Sequence, residues 1–257
     1  MGAFVVCVVA FLASGLTFFS GFGLGTLLLP AFALFYPVTQ AVALTAVVHF
    51  LNGLFKLLLV GRHTNLRVVL LFGLPALAAS FLGAWVLLWL SEVKSQVSYT
   101  LLGREVLVAP AKVVVGVLLL LFSAAELVPR FRGLSFAPRH LPIGGILSGF
   151  FGGLAGMQGA LRSAFLAKSG LSKEQFVATG AAVAFMIDIS RLAVYVPAFL
   201  SERAALDYPV LAAAVLAALM GALVGNRYLK SVTMRGIKSV VSIMLLAVAV
   251  GLISGVL

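Results

Sequence analysis

The sequence predicts an all-α polytopic membrane protein made of two inverted repeats. Each repeat is expected to hold a glycine-broken helix, re-entrant or discontinuous, plus three transmembrane helices. Three observations carry this expectation. Of the 257 residues, 63% are apolar and 10% charged, with a mean hydropathy of +1.20, whereas a soluble domain is about 45–50% apolar. Several apolar stretches reach the roughly 20 residues that a spanning helix needs. A glycine cluster followed by an apolar arm occurs twice, once in each half.

The apolar segments run 3–19, 24–36, 38–60, 67–90, 107–128, 141–168, 174–199, 208–226 and 238–257. Polar breaks divide most of them: "GRHTNLR" from Gly61, "SEVKSQVSYTLLGRE" from Ser91, "PRFRGLSFAPRH" from Pro129, "SERAALDYP" from Ser201 and "NRYLKSVTMRGIK" from Asn226. None is long enough to separate soluble domains, so one integral membrane domain over 1–257 is expected, with repeat 1 at about 1–128 and repeat 2 at about 141–257. The start, "MGAFVVCVVAFLASGL", has no basic region before its apolar run and reads as mature structure rather than a cleaved signal. Cys7 is the only cysteine, which excludes an intrachain disulfide.

The repeat shows in an alignment of "SGFGLGTLLLPAFALFYPVTQAVALTAVVHFLNGLFKLLL" from Ser20 with "GGLAGMQGALRSAFLAKSGLSKEQFVATGAAVAFMIDISRLAVY" from Gly152. Gly25 falls against Gly159, Thr45 against Thr179 and Lys56 against Arg191, at an offset of 134 or 135 residues. Charge tests the topology. Fourteen of the 18 Lys and Arg lie in loops; Lys56, Lys112, Arg162 and Arg191 lie in apolar segments. If 1–36 and 141–168 each cross fully, the loop bases split 8 to 6. If both fold back, the split becomes 11 to 3, and the positive-inside rule makes the richer side cytoplasmic. That arrangement has six full spans and two hairpins, and it makes the halves inverted repeats, a plan common among secondary transporters. A single steeply tilted crossing by 141–168 is the alternative.

The residues with chemistry fall at the glycine breaks and on two helices. Gly21, Gly23 and Gly25 free the backbone, and Pro30 removes a helix hydrogen bond. An opened helix at membrane depth is tolerated where it lines a cavity or is buried in protein, and its N–H groups then suit an anion. The structural alternative is close packing through small residues. The second cluster comprises Gly144, Gly145, Gly149, Gly152, Gly153, Gly156 and Gly159, with Gln158 and Arg162 beside it. A buried Arg costs at least about 2.5–3.5 kcal/mol, so it needs a partner or a function. Its planar fork of donors suits a sulfonate, sulfite or carboxylate. The alternatives are pairing with Asp188 or snorkelling.

Thr45, His49, Asn52 and Lys56, spaced 4, 3 and 4 apart, form one polar stripe on an apolar helix. Such a stripe faces the bundle or a pathway. Lys56, near a helix end, is expected to snorkel or to line that pathway; His49 is a proton relay or a packing residue. Asp188, Arg191 and Tyr195 follow at i, i+3 and i+7, so Asp188 and Arg191 can pair, as a neutralising ion pair or as a switch for coupling.

Other classes find little support. A net charge of +11 would suggest nucleic acid in a soluble chain, but here the bases sit in loops between spans, with no nucleic-acid motif. There is no Walker A sequence, no HExxH and no GxSxG, and the three His show no metal-ligand spacing. The chain is therefore expected to be no enzyme and to need no cofactor and no metal.

The motifs also carry a resemblance. "GFGLGTLLLP", Gly21 to Pro30, is similar to the G-x-G-G-G-x-x-x-x-P motif of the TauE/SafE family, with Leu24 in place of one glycine. "GGLAGMQGALRSAFLAKSGLSKEQFVATG" followed by "DISRLAVY" resembles a subgroup of that family, with Ala155, Met157 and Gln158 interrupting the glycines. The resemblance spans Ser14 to about Lys230. It implies a multi-pass transporter of the bacterial cytoplasmic membrane that moves small, mostly sulfur-containing anions such as sulfite, sulfoacetate and related organosulfonates. The expected substrate-binding set is Gly21, Gly23, Gly25, Thr45, Asn52, Gly156, Gln158, Gly159, Arg162 and Arg191, with Asp188 and His49 for coupling. The expected partners are a small anionic substrate, the lipid bilayer and, as coupling ion, protons. Oligomeric state is left open, and a passive anion channel and a non-transporting scaffold are the competing functions.

Overall fold

The computed structural model describes residues 2–18, 24–94, 97–101, 104–128, 134–201, 207–228 and 235–257. Its helices are α1 (Gly2–Thr17), α2 (Leu24–Ala33), α3 (Val38–Val60), α4 (Leu66–Val68), α5 (Leu74–Glu92), α6 (Pro110–Leu127), α7 (Leu141–Ala155), α8 (Gly159–Leu166), α9 (Lys173–Ser201), α10 (Tyr208–Tyr228) and α11 (Arg235–Ile253). A π-helical turn, Val69–Gly73, joins α4 to α5. Four stretches are long and apolar enough to cross a membrane: Val38–His63, Leu66–Glu92, Lys173–Ala198 and Tyr208–Arg227. Large apolar side chains such as Phe81, Trp85, Trp89, Leu216 and Met220 are exposed on α5 and α10. On a soluble protein so much exposed hydrocarbon would drive association; in a bilayer it is the ordinary lipid-facing surface. The chain is an all-α polytopic membrane protein.

Both glycine-broken segments fold back on themselves. A Cβ on Gly2, at the start of α1, would lie 3.0 Å from the ring of Phe35, just past the end of α2. A Cβ on Gly144, near the start of α7, would collide with the ring of Phe165, near the end of α8. In the second hairpin the chain turns at Gly156, whose φ of 72° is left-handed and suits a residue without a side chain.

The glycines of 144–153 do something different from what the sequence suggests. The helix α7 runs through them unbroken to Ala155, and the break is confined to Gly156–Gln158. A Cβ on Gly145, Gly149 or Gly153 would lie 2.2, 2.1 and 2.1 Å from the carbonyl oxygens of Phe72, Ala76 and Ser80. These glycines let α7 lie directly on the π turn and α5, the small-residue packing typical of helices in lipid. Likewise Gly221 and Gly225 of α10 meet the carbonyls of Phe11 and Gly15 on α1 at 2.1 and 2.5 Å. In both pairs residue numbers rise together, so α7 is parallel to α5 and α10 to α1. Helices α6 and α11 pack antiparallel, with Gly116 against Ala249 and Ser123 Oγ donating to the carbonyl of Ser242 at 2.6 Å. At the centre α3 crosses α9, flanked by α5 and α10.

Within the polar break after Ser91 the sequence reading expects only a loop. The structure places a β-hairpin there, β1 (Val97–Leu101) against β2 (Arg104–Val108), in antiparallel register from Val97↔Val108 to Leu101↔Arg104. It holds the end of α11: Tyr99 O–H donates to the Ser254 carbonyl at 2.5 Å, and Gly255 sits against Leu107. Followed from helix to helix, the chain brings Arg62, Arg67, Arg139, Lys168, Lys173 and Arg227 to one end of the bundle. Lys94 and the β-hairpin lie at the other. The first end is called the basic face below.

Candidate functional site

The site is built where α3 crosses α9, below the tips of the two hairpins. The polar stripe of α3 points at both. Its Asn52 Oδ1 accepts from Ser14 Oγ of α1 at 2.8 Å, and His49 Nδ1 lies 2.5 Å from Asp188 Oδ2 of α9. Asp188 is fully buried and is the hub. Its Oδ1 accepts from Arg191 Nε at 2.9 Å and from Gln158 Nε2 at 3.4 Å. Arg191 Nη2 is 2.8 Å from the same oxygen but not aligned as a hydrogen bond, and Nη1 reaches the Gly152 carbonyl at 3.5 Å. The chain of contacts continues outward: Gln158 Oε1 accepts from Arg162 Nη1 at 3.0 Å. Tyr195 O–H donates to the Gly153 carbonyl, which ties α9 to the end of α7. Local periodicity accounts for the short links, Asp188–Arg191 at i, i+3 and Gln158–Arg162 at i, i+4. The links across α3, α8 and α9 come from the helix crossing.

The start of α2 meets the turn of the second hairpin beside this network. A Cβ on Gly25 would lie 2.9 Å from the Gly156 carbonyl, with Thr45 and His49 next nearest at 3.7 Å. Between this contact and the basic face lies a cavity of about 40 Å³, room for a few waters. Thr17, Phe18 and Leu24 of the first hairpin line it, with His49, Asn52, Gly53 and Lys56 of α3, Arg162 and Leu166 of α8, and one wall of α9 from Phe176 to Ala184. The Lys56 Nζ lies 5.2 Å from the centre of the Phe18 ring. Arg191 pairs with the buried Asp188 carboxylate, Arg162 is linked to it through Gln158, and Lys56 joins Arg162 in lining the cavity, so bases outnumber acids here. Among the described residues no group of three His, Cys, Asp or Glu could hold a metal ion.

Of the residues expected from the sequence, His49, Asn52 and Arg162 line the cavity. Gln158, Asp188 and Arg191 form the network behind it. Gly25 and Gly156 make the tip contact, and Gly159 opens α8. Thr45 is buried next to Gly25, and its hydroxyl has no hydrogen-bond partner. Gly21 and Gly23 lie outside the described residues. Lys56 lines the cavity. Sequence reasoning missed Thr17 and Ser14. The signal available was their spacing, three apart at the glycine end of the first arm.

Residues 6–252 match the protein family described as sulfite exporter TauE/SafE. The chain belongs to the TauE/SafE family. Neither the curated proteins nor the solved structures give a match. Membership makes the chain a membrane transporter of the sulfite-exporter type, moving a small anion across the bilayer.

Proposed function

We propose that this TauE/SafE protein is a secondary transporter of a small sulfur-containing anion, such as sulfite, sulfoacetate or a related organosulfonate. It would sit in the bacterial cytoplasmic membrane with the basic face inward, work by alternating access and couple flux to protons. One observation carries this reading: buried Arg162 and partly buried Lys56 line a cavity that His49 also lines, and His49 lies beside the close approach of Gly25 to Gly156. Excess positive charge at membrane depth attracts an anion. Close contact between the two glycine-broken segments favours alternating access over an open pore.

The inverted-repeat plan is part of the proposal. Exchanging α1 with α7, α2 with α8, α3 with α9, α5 with α10 and α6 with α11 converts the α5–α7 packing into α10–α1. It leaves the α3–α9 and α6–α11 pairs in place. Such an exchange is what two-repeat rocking requires. Arg162, Asn52 and Gln158 orient the anion, and Arg191 remains locked by Asp188 on the far side of the contact until the repeats rock. The glycine breaks, Gly21 to Gly25 and Gly156 to Gly159, bring backbone donors near the anion, and Thr45 lies beside them. Protonation of the His49–Asp188 pair weakens the hold on Arg191, which links a proton to the conformational step.

The test is efflux of labelled sulfite or sulfoacetate from proteoliposomes. Wild-type protein is expected to give flux that responds to an imposed pH gradient, and Arg162→Gln none, with both proteins equally monodisperse in detergent. Normal flux through Arg162→Gln overturns the role of that residue. Flux indifferent to the pH gradient, once voltage is clamped, favours a passive channel.

A further inference from the structure

Among the described residues, Thr17 is one of the few with a buried side-chain polar atom that lacks a hydrogen-bond partner. It closes α1, is 3% exposed, and its hydroxyl has no hydrogen-bond partner. A buried hydroxyl left unpaired is costly, so such groups are usually paired or serve a ligand. Thr17 lines the cavity together with Lys56 and Arg162. These three residues come from three separate elements, α1, α3 and α8. The ammonium of Lys56 rests near the face of Phe18, the residue after Thr17. Asn52 has its side-chain oxygen taken by Ser14, one turn before Thr17. The lining also includes the apolar side chains of Leu24, Leu166, Phe176 and Val177.

We propose that Thr17 and Lys56 complete an oxyanion seat with Arg162. Thr17 donates its hydroxyl proton to one oxygen of a sulfur oxyanion, Lys56 and Arg162 supply the charge, and the apolar part of the lining receives the rest of the molecule. The seat lies on the basic-face side of the Gly25–Gly156 contact. Because Thr17 belongs to the first hairpin and Arg162 to the second, an anion held there bridges the two moving parts. This deepens the transporter reading and rests on it. Thr17 is a specificity-determining residue: a hydroxyl in that place selects for an acceptor oxygen, which halide does not offer in the same direction.

The experiment titrates sulfite and methanesulfonate into the purified full chain in detergent, reading heat and thermal stabilisation. Thr17→Val keeps the shape and removes the donor. It is expected to weaken binding about tenfold or more, the scale of one hydrogen bond to a charged group, while the ligand-free Tm stays level or rises, because an orphan polar group has left the interior. Thr17→Ser is expected to stay within about threefold of wild type. Lys56→Met is expected to lose binding by a larger factor. Should Thr17→Val not yield folded protein, Thr17→Cys, a poor donor of similar size, is titrated under the same criteria. Wild-type affinity in the donor-free variant overturns the role of Thr17 and leaves the transporter reading intact. No binding of either probe by wild type overturns the seat and the anion site together.

Discussion

His49 Nδ1 lies 2.5 Å from Asp188 Oδ2, across the point where α3 meets α9. The two residues are 139 positions apart and come from opposite halves of the chain. Through this contact the polar stripe of α3 joins the Asp188–Arg191 pair of α9, and the carboxylate bonds to side chains from both halves of the chain.

Asp188→Asn should therefore be severe. It leaves Arg191 fully buried with a neutral partner, and breaking one side of a buried pair costs about 3–5 kcal/mol. A large drop in thermal stability in detergent, with loss of transport, is the expected outcome. Asp188→Asn combined with Arg191→Met should recover part of the stability and none of the transport. Unchanged stability in the single variant would remove Asp188 from its place as hub.

His49→Gln tests coupling apart from folding. The amide can still hydrogen-bond Asp188, so folded protein is expected. Sulfite efflux should become insensitive to an imposed pH gradient while equilibrium binding of sulfite changes by less than about threefold. Retained pH-gradient sensitivity would assign the coupling proton elsewhere.

Gly25→Val should stop transport. Its Cβ would lie 2.9 Å from the Gly156 carbonyl, a backbone atom that cannot swing aside, and overpacking of this kind costs about 1–3 kcal/mol. Gly170→Ala is the contrast: φ is 72° at Gly170, but nothing lies within 4 Å of the added carbon. Only the strain of a left-handed residue remains, about 1–2 kcal/mol, and efflux in proteoliposomes should be close to normal.

Gly149→Leu should prevent α7 from docking on α5, because even a Cβ would sit 2.1 Å from the Ala76 carbonyl. Loss of the monodisperse peak in size-exclusion chromatography is expected. Gly221→Leu, facing Phe11 at the equivalent α10–α1 contact, should behave the same way if the two packings are repeats of one design.

Cavity orientation can be read by thiol labelling in a Cys7→Ala background, since Cys7 is the only native thiol. A cysteine at Ala184, which lines the cavity, should react with a membrane-impermeant reagent from the basic face, more slowly when sulfite is present. Reaction only from the opposite face would invert the topology.

Much of the fold was legible because it depends on local order. Hydropathy marks α3, α5, α9 and α10, since each must present an apolar surface over the bilayer thickness. The break near Gly156 was legible to within a few residues. Its neighbours were not: Gly145, Gly149 and Gly153 look like a broken helix in one dimension and are close packing in three. The reason is that a missing Cβ serves a left-handed turn and a backbone approach equally well, and only the neighbour decides which. The β-hairpin at 97–108 was lost in a short polar break, where two five-residue strands carry little periodic signal.

The sequence by itself determined that the chain lives in a bilayer and that Arg162, Asp188 and Arg191 are costly to hold in lipid. Tertiary structure decided who meets whom. It set His49 against Asp188, Gly25 against Gly156, and Thr17 beside Lys56 and Arg162 in one cavity. Those contacts join residues far apart in the chain, so they depend on helix crossing and docking, which no local spacing encodes.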